Sequence, residues 1–243
     1  CNLLTGLYGM QLYAEMDYTG VYDEKALGDR FRACVGADPK AFTNLSKFDT
    51  VDVAEGEYGK TTPSKFLLYQ DPILPLFEKD CEGWNFSGYY ADLKTQYETY
   101  RDENPSFGLL FDFYVKFADM LSKKSAWHEQ AGAIIRAKDH AKAKELADSA
   151  PAIIASIRAL KDIWRDLWYS TRKIQGFEVI DQRMGIVLIR MESAERRMRL
   201  FADGKIDTIE ELEVKKLPIT TGKNGKLGMC NNWKDICTPS SLW

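Results

Sequence analysis

One turn of the chain concentrates side chains that could take part in binding or catalysis. Glu178 and Asp181 are three residues apart, so both carboxylates lie on one face of the first turn of a predicted helix, and Arg183 follows closely. Acidic side chains in a first turn interact favourably with the helix dipole, by about 0.3–1 kcal/mol. A capping arrangement is therefore the simplest interpretation, and a role at a functional site is the alternative.

Other motifs that carry chemistry are absent from the sequence. The chain has two histidines, His128 and His140, and His128-Glu129 lacks the second histidine that a zinc-binding helix requires four residues on. Residues 222–226 lack the spacing and the Ser or Thr of a phosphate-binding loop. A Ser-His-Asp arrangement depends on the spatial setting of a histidine, which stays open. We predict no metal ligand and no cofactor-binding residue.

The predicted helix that follows Gly176 shows two parallel stripes. Arg183, Arg190 and Arg197 repeat every seven residues, and Glu192 and Glu195 lie within helical reach of them. We expect these glutamates to neutralise the arginines in pairs, on the flank of a structural helix rather than at a substrate site. Beside the arginines runs an apolar seam that must be buried, either within the chain or between subunits. The seam comprises Met184, Val187, Met191, Ala194, Met198 and Phe201.

Capping signals predict further helices along the chain. Residues 49–61 lack periodicity and predict a loop, and Asp71-Pro72 and Leu74-Pro75 predict short turns. Helices are predicted over residues 87–104 and 105–124, each with aromatic residues on one face, which we interpret as core rather than as a sugar-stacking platform. The predicted helix starts are Asp23, Asp38-Pro39, Thr62-Pro63, Asn104-Pro105 and Asp139.

The helix that begins after Asp139 is predicted to reach about Lys173. Pro151 lies within it, and an internal proline costs about 3 kcal/mol, so we expect a break or a new start near Ser149. This helix and the one after Gly176 form a predicted antiparallel pair. The sequence therefore predicts an all-α fold, a multi-helix domain of antiparallel helices with little or no strand.

The amino-acid composition limits the classes of partner that the chain could bind. The chain has 243 residues, 33 basic and 36 acidic, with a formal net charge of -3. This balance gives no electrostatic footprint for nucleic acid or an anionic membrane, and no apolar run approaches the roughly 20 residues that span a bilayer. The cysteines at positions 1, 34, 81, 230 and 237 show no motif spacing, so we expect five reduced thiols in a cytoplasmic protein.

Two segments, residues 176–185 (GFEVIDQRMG) and residues 63–74 (PSKFLLYQDPIL), resemble segments of a known family, the bacterial family 20 glycoside hydrolases or β-N-acetylhexosaminidases. Residues 176–185, GFEVIDQRMG, resemble a Gly-Phe-Glu-Val-x-Asp-x-Arg-x-Gly run near the C-terminus of many members, and Ile-Glu-Glu-Leu-Glu closes the segment at residues 209–213. Residues 63–74, PSKFLLYQDPIL, are similar to the family's Asn-Pro-Ser-Lys-Tyr-Leu-Leu-Tyr-Gln-Asp-Pro-Leu-Leu run, with Thr62 in place of Asn and Phe66 in place of Tyr.

The resemblance implies a non-catalytic C-terminal domain. The family's catalytic Asp-Glu pair lies in a (β/α)8 barrel that precedes this region, so residues 1–18 would be the last barrel helix, residues 19–213 a helical domain and residues 214–243 a tail packed on it. Partners would be the catalytic barrel of the same polypeptide and a possible second copy of the chain, with no nucleic acid or membrane. A self-standing helical interaction module unrelated to glycans is the competing hypothesis.

The resemblance also bears on the acidic residues. Asp23-Glu24 and Asp102-Glu103 are adjacent acidic pairs, but they stand at helix ends, where solvated carboxylates are ordinary, so we predict no catalytic residue in this chain. For Glu178, Asp181 and Arg183 the resemblance offers a functional alternative to capping. Their turn would face the mouth of a barrel and help to shape its sugar pocket.

Overall fold

The protein is built from helices throughout the part of the chain that the structure describes. A computed structural model describes residues 3–51, 62–81, 83–218 and 233–241, and all regular secondary structure in these ranges is helical, which confirms the all-α prediction. The α-helices are α1 (Leu7–Thr19), α2 (Glu24–Val35), α3 (Pro39–Thr43), α4 (Pro63–Tyr69), α5 (Phe86–Glu103), α6 (Gly108–Arg136), α7 (His140–Thr171), α8 (Phe177–Ala202) and α9 (Trp233–Cys237).

Several helix starts follow the predicted capping chemistry. The side chain of Asp23 accepts a hydrogen bond from the amide of Ala26 at 2.9 Å, and Asp139 accepts one from Lys142 at 3.0 Å. Asn104 has a different role, because its amide group donates to the Tyr100 carbonyl while its Oδ1 accepts from the Asp38 amide at 2.7 Å. Asn104 therefore ties the end of α5 to the start of α3.

The four long helices α5 to α8 form the centre of the fold, each packed on the next. Short connections between them make neighbours antiparallel, as predicted for α7 and α8. The prediction ended α6 at Lys124, and this was wrong, because Trp127, Ala131 and Ile134 continue its buried face to Arg136. The aromatic stripes are core as predicted at Tyr90, Tyr97, Tyr100, Phe111 and Leu121, whereas Tyr89, Phe107, Tyr114 and Phe117 are only partly buried.

The predicted apolar seam of α8 is buried within the single chain. Met184, Val187, Met191, Ala194, Met198 and Phe201 are all no more than 4% exposed, and α8 packs along α7. Of the two uses that the sequence left open for the seam, the structure shows intramolecular packing. The seam itself is therefore closed to a second subunit.

Helix α7 runs unbroken through Pro151, so the predicted break near Ser149 is wrong. Proline lacks an amide hydrogen, and its i−4 acceptor would be the carbonyl of Ala147. That carbonyl lies 3.5 Å from Nη2 of Arg199 on α8, and the adjacent Leu146 carbonyl accepts from Nε1 of Trp127 on α6 at 3.0 Å. Donors from both neighbouring helices thus reach the backbone at the point where proline weakens it.

The segments outside the long helices show how the predicted turns are used. Of the loop predicted over residues 49–61, Asp49 ends a 3-10 helix, Asn44–Asp49, and residues 52–61 fall outside the described residues. Cys34 is an exposed thiol and Cys237 a buried one. Cys1 and Cys230 lie outside the described residues, so the five reduced thiols stay a prediction.

Candidate functional site

A fully buried lysine lies at the C-terminal end of α4. Nζ of Lys124 donates to the carbonyls of Leu67, Leu68 and Gln70 at 2.8, 3.0 and 2.6 Å. Burial lowers the pKa of Lys124 to about 8, so the amine still carries its proton at neutral pH. The ammonium group satisfies carbonyls that the end of a helix leaves open and lies at the negative end of its dipole.

A buried carboxylate next to this lysine site joins α4 to α8. The side chain of Asp71 is 2% exposed and forms an ion pair with Arg190. Its Oδ1 also accepts hydrogen bonds from the amides of Ile73 and Leu74, at 2.9 and 2.8 Å. The predicted turn at Asp71-Pro72 is therefore built around a buried carboxylate. Its charge is neutralised by Arg190, which lies 119 residues later in the chain.

The other arginines of the α8 stripe also reach beyond their own helix. Nη2 of Arg197 lies 3.0 Å from Glu211, and the guanidinium of Arg183 stacks 4.8 Å from the ring centroid of Trp233 on α9. The predicted pairing of these arginines with Glu192 and Glu195 is wrong. The side chains of the arginine stripe extend from one face of α8 and contact residues of other elements. These contacts replace the predicted contacts with neighbours on α8 itself.

The two glutamates pair with different arginines. Glu192 lies 3.2 Å from Arg158 on α7, and Glu195 lies 2.9 Å from Arg199, one turn along α8. Both arginines are more than 40% exposed, so solvent screens each pair and its contribution to stability is small. The flank of α8 is salt-bridged as predicted, but through this second set of partners.

A cavity of about 420 Å3 opens between α4, α6, α7, α8 and the 3-10 helix Asn44–Asp49, and we call it the aromatic cavity. Its wall includes Phe113, Tyr114, Phe117, Trp164 and Trp168. Its polar and charged lining residues are Asp49, Ser64, Lys65, Tyr69, Arg172 and Arg183, and the remaining ones are Leu45, Phe48, Leu68, Leu110, Leu167 and Ile180. Sequence reasoning missed this cavity, since its wall combines residues from five elements.

The comparison with protein families matches residues 40–231, well over half of the chain, to the glycoside hydrolase 20C C-terminal domain. The chain belongs to this family. A comparison with curated proteins finds no match. The matched range contains both segments on which the sequence resemblance rests, and Asp71 and Arg190 join α4 and α8 within it.

In this 20C C-terminal domain the three predicted site residues do not converge. Glu178 is exposed and caps its own turn, since its Oε2 accepts a hydrogen bond from the Gly176 amide at 2.7 Å. Asp181 is exposed beside α7, 3.9 Å from Nζ of Lys161. Arg183 alone lines the aromatic cavity.

Gly176, which opens the family-like run, has a steric role. Its φ of +98° lies in the left-handed region, which favours glycine, and a Cβ there would lie 3.2 Å from the ring of Trp168. Nε1 of Trp168 donates to the Lys173 carbonyl at 2.8 Å, so this tryptophan organises the connection between α7 and α8. The motif glycine therefore serves the fold of the turn.

The acidic doublets of the domain occupy the solvated positions that the sequence predicted. Asp23 is the N-cap of α2, and Asp102 pairs with neighbouring Arg101 at 2.9 Å near the end of α5. Glu24 and Glu103 are exposed. Among the described residues, no group of three or more His, Cys, Asp or Glu side chains could hold a metal ion, and none of the helices there is long and apolar enough to span a membrane.

A second polar cluster joins Lys216, near the start of the tail, to α6 through Glu78 and His128. Nε2 of His128 lies 2.8 Å from Glu78, Nδ1 of His128 lies 3.0 Å from the Pro72 carbonyl, and Lys216 lies 2.9 Å from the same glutamate. Burial would raise the pKa of Glu78, but the hydrogen bonds from His128 and Lys216 lower it to about 2. With Glu78 ionised, both ring nitrogens of His128 lie within hydrogen-bond distance of an acceptor oxygen.

Replacing Glu78 with glutamine is expected to lower the free energy of unfolding by about 2 kcal/mol at pH 7. The pKa of Glu78 is lowered on folding from 4.5 to about 2, so its stabilisation is complete above pH 4.5 and is lost as the pH falls to about 2. Urea unfolding at several pH values measures this, with Glu98→Gln, at an exposed pair, as the control. A difference between wild type and Glu78→Gln that persists at pH 2 would contradict the assignment.

Proposed function

We propose that this chain is a non-catalytic helical domain that supports a catalytic barrel in the same polypeptide. The observation that carries the proposal is the surface of α1. None of its described residues is buried, although the helix contains Leu7, Met10, Tyr13 and Met16. Contiguous exposed apolar surface marks an interaction site in a folded protein.

Helix α1 is held to the rest of the domain along one side only. Tyr8 makes an edge-on contact with Phe31 of α2, with ring centroids 5.5 Å apart, and Glu15 pairs with Arg30 of α2. On its other sides Tyr13 is 75% exposed and Tyr18 is 93% exposed. Residues 3–19 also lie before the family match, which begins at residue 40. These features support an assignment of residues 1–18 to a preceding barrel, with residues 19–213 as the helical domain.

The tail supports the same division of the chain. Helix α9 packs on α4, with Ile236 and Cys237 buried, and the Leu217 amide donates to the Leu76 carbonyl at 2.7 Å. Residues 214–243 would then be a tail packed on the domain. A homodimer is a further prediction, and it would have to use a surface other than the buried seam of α8.

By family resemblance, the whole enzyme would be a β-N-acetylhexosaminidase. It would remove terminal β-linked N-acetylglucosamine or N-acetylgalactosamine, with the substrate's acetamido group as nucleophile and an Asp-Glu pair supplied by the barrel. In that enzyme the turn with Glu178 and Asp181 would lie towards the barrel, because both side chains are exposed. The helical domain contributes support and no reacting group.

The proposal predicts no hydrolysis of 4-nitrophenyl N-acetyl-β-glucosaminide or galactosaminide by the 243-residue chain, and hydrolysis by a longer polypeptide in which the proposed barrel precedes it. Tyr13→Glu tests docking through α1. In the chain alone it should leave the unfolding free energy within about 0.5 kcal/mol of wild type, because the site is exposed. In the longer polypeptide it should destabilise, while Ile189→Glu, at an exposed site on α8, should not. Turnover by the repurified chain, or equal effects of the two variants, would refute the proposal.

A further inference from the structure

We propose that the aromatic cavity is a binding site for a small ring compound that carries a carboxylate or a phosphate group. A pyranose bearing such a group is the ligand class that its walls suit. The site lies wholly within the helical domain and is independent of any catalytic barrel. Its volume of about 420 Å3 falls within the range of about 300–1,000 Å3 that is typical of small-molecule pockets.

The walls supply flat apolar surface for a ring. Phe113 contacts Trp164 edge-on, with centroids 5.4 Å apart, and stacks on Phe117 at 5.9 Å. These residues are only partly buried, whereas Phe111 on the adjacent face of α6 is fully buried. The aromatic stripe of α6 therefore has a core side and a side that faces the cavity. Pyranose rings pack their apolar faces on aromatic rings of this kind.

The charges at the cavity favour an anion. Lys65, Arg172 and Arg183 line it together with one carboxylate, that of Asp49, which gives an excess of positive charge. Asp49 accepts hydrogen bonds from both the amide and the hydroxyl of Ser64, at 3.1 and 2.7 Å. Its carboxylate is therefore already engaged in holding the start of α4, and the cationic side chains dominate what a ligand would meet.

The two arginines are held in the manner that suits anion recognition. The guanidinium of Arg172 stacks 4.6 Å from the ring centroid of Trp168, and that of Arg183 stacks 4.8 Å from the ring centroid of Trp233. When a guanidinium stacks on an aromatic face, its edge carries the N–H groups that bind the two oxygens of a carboxylate or phosphate.

Arg183 also carries an unmatched donor. Its Nε is buried and finds no hydrogen-bond acceptor among the described residues. A buried N–H without an acceptor costs free energy, and a ligand in the cavity would meet this donor only after the Arg183 side chain shifts to expose it. Tyr69, whose pKa is raised by burial and lowered in part by a hydrogen bond with Arg183, lies beside it at the cavity wall.

Isothermal titration calorimetry with three probes tests the proposal on the 243-residue chain. The probes are glucuronate, glucose 6-phosphate and uncharged glucose, which share a pyranose ring and differ in the anion. We expect saturable binding of one molecule of at least one anionic probe, and at least about tenfold weaker binding of glucose. The stronger of the two anionic probes then distinguishes a carboxylate ligand from a phosphate ligand.

Variants locate the binding. Arg183→Gln and Arg172→Gln should each weaken binding about tenfold or more, and Arg158→Gln, the same change at an exposed site outside the cavity, should leave it unchanged. Circular dichroism establishes whether each variant is folded. If Arg183→Gln does not fold, the binding measured for Arg172→Gln tests the proposal. The proposal is overturned if neither anion binds saturably, if glucose binds equally well, or if a folded cavity variant binds like wild type.

Discussion

Asp71→Asn should lower the free energy of unfolding by about 3 kcal/mol, because it breaks an ion pair whose carboxylate is buried. Asparagine can still accept hydrogen bonds from the Ile73 and Leu74 amides through Oδ1, but its NH2 group replaces the oxygen that accepts from Nε of Arg190. Arg190 would then face an uncharged partner while about one third exposed. Asp71→Ala should cost about 1–2 kcal/mol more, because both amides lose their acceptor as well.

Denaturant unfolding monitored by circular dichroism measures both changes. Asp29→Asn is the matched control, since Asp29 pairs with Lys25 at an exposed site, and we expect a change below about 0.5 kcal/mol. A double variant with Arg190→Gln should recover part of the loss, because neither charge then remains without its partner. An Asp71→Asn protein as stable as wild type would show that the pair does not hold α4 to α8.

Lys124→Met is the second substitution with a large expected effect, a loss of about 3 kcal/mol. Methionine fills a similar volume, but it donates no hydrogen bond, so the carbonyls of Leu67, Leu68 and Gln70 lose the donor they share. Removal of a fully buried charge offsets part of this cost, because burial disfavours the ammonium form. The remaining loss should fall on the C-terminal end of α4.

Lys123→Met provides the control for this substitution. Lys123 is the adjacent residue on α6 and pairs with Asp119 at the surface, so its loss should cost less than about 1 kcal/mol. Hydrogen exchange at the amides of residues 66–70 would localise the effect to α4. Equal stability of the Lys123 and Lys124 variants would mean that the buried ammonium is not stabilising.

The sequence was sufficient to predict the helices that depend on contacts between residues close together in the chain. The seam from Met184 to Phe201 lies on one face by spacing alone, and Asp23 and Asp139 start helices through hydrogen bonds to residues three positions on. The predictions that failed depend on distant residues. Arg190 was assigned a neighbour on its own helix, whereas its partner is Asp71, 119 residues earlier in the chain. Periodicity gives the direction of a side chain and leaves open what lies there.

The candidate site was predicted less well than the fold, for the same reason. Arg183 stood out through its place in the α8 stripe, but Arg172 and the tryptophans Trp164 and Trp168 were interpreted only as helix residues. These residues line one cavity because α7 packs against both α6 and α8. Trp164 and Trp168 are four residues apart on one face of α7, and this spacing was the available signal.

Two residues of the family-like segments serve the fold. Gly176 permits the turn against Trp168, and Asp71 is neutralised by Arg190. A sequence can therefore retain these segments without retaining any catalytic group. Their presence reports how the helices are assembled, and the chemistry of a longer polypeptide has to be established from its own reacting residues.

The passage of α7 through Pro151 bears on how the protein folds. The carbonyls of Leu146 and Ala147 receive donors from Trp127 on α6 and Arg199 on α8, so the uninterrupted course of α7 depends on both neighbours being in place. A free peptide of this sequence has no such donors and would bear the full cost of the proline. We therefore expect the continuous helix to form only when α7 docks, so that α6, α7 and α8 fold as one cooperative unit.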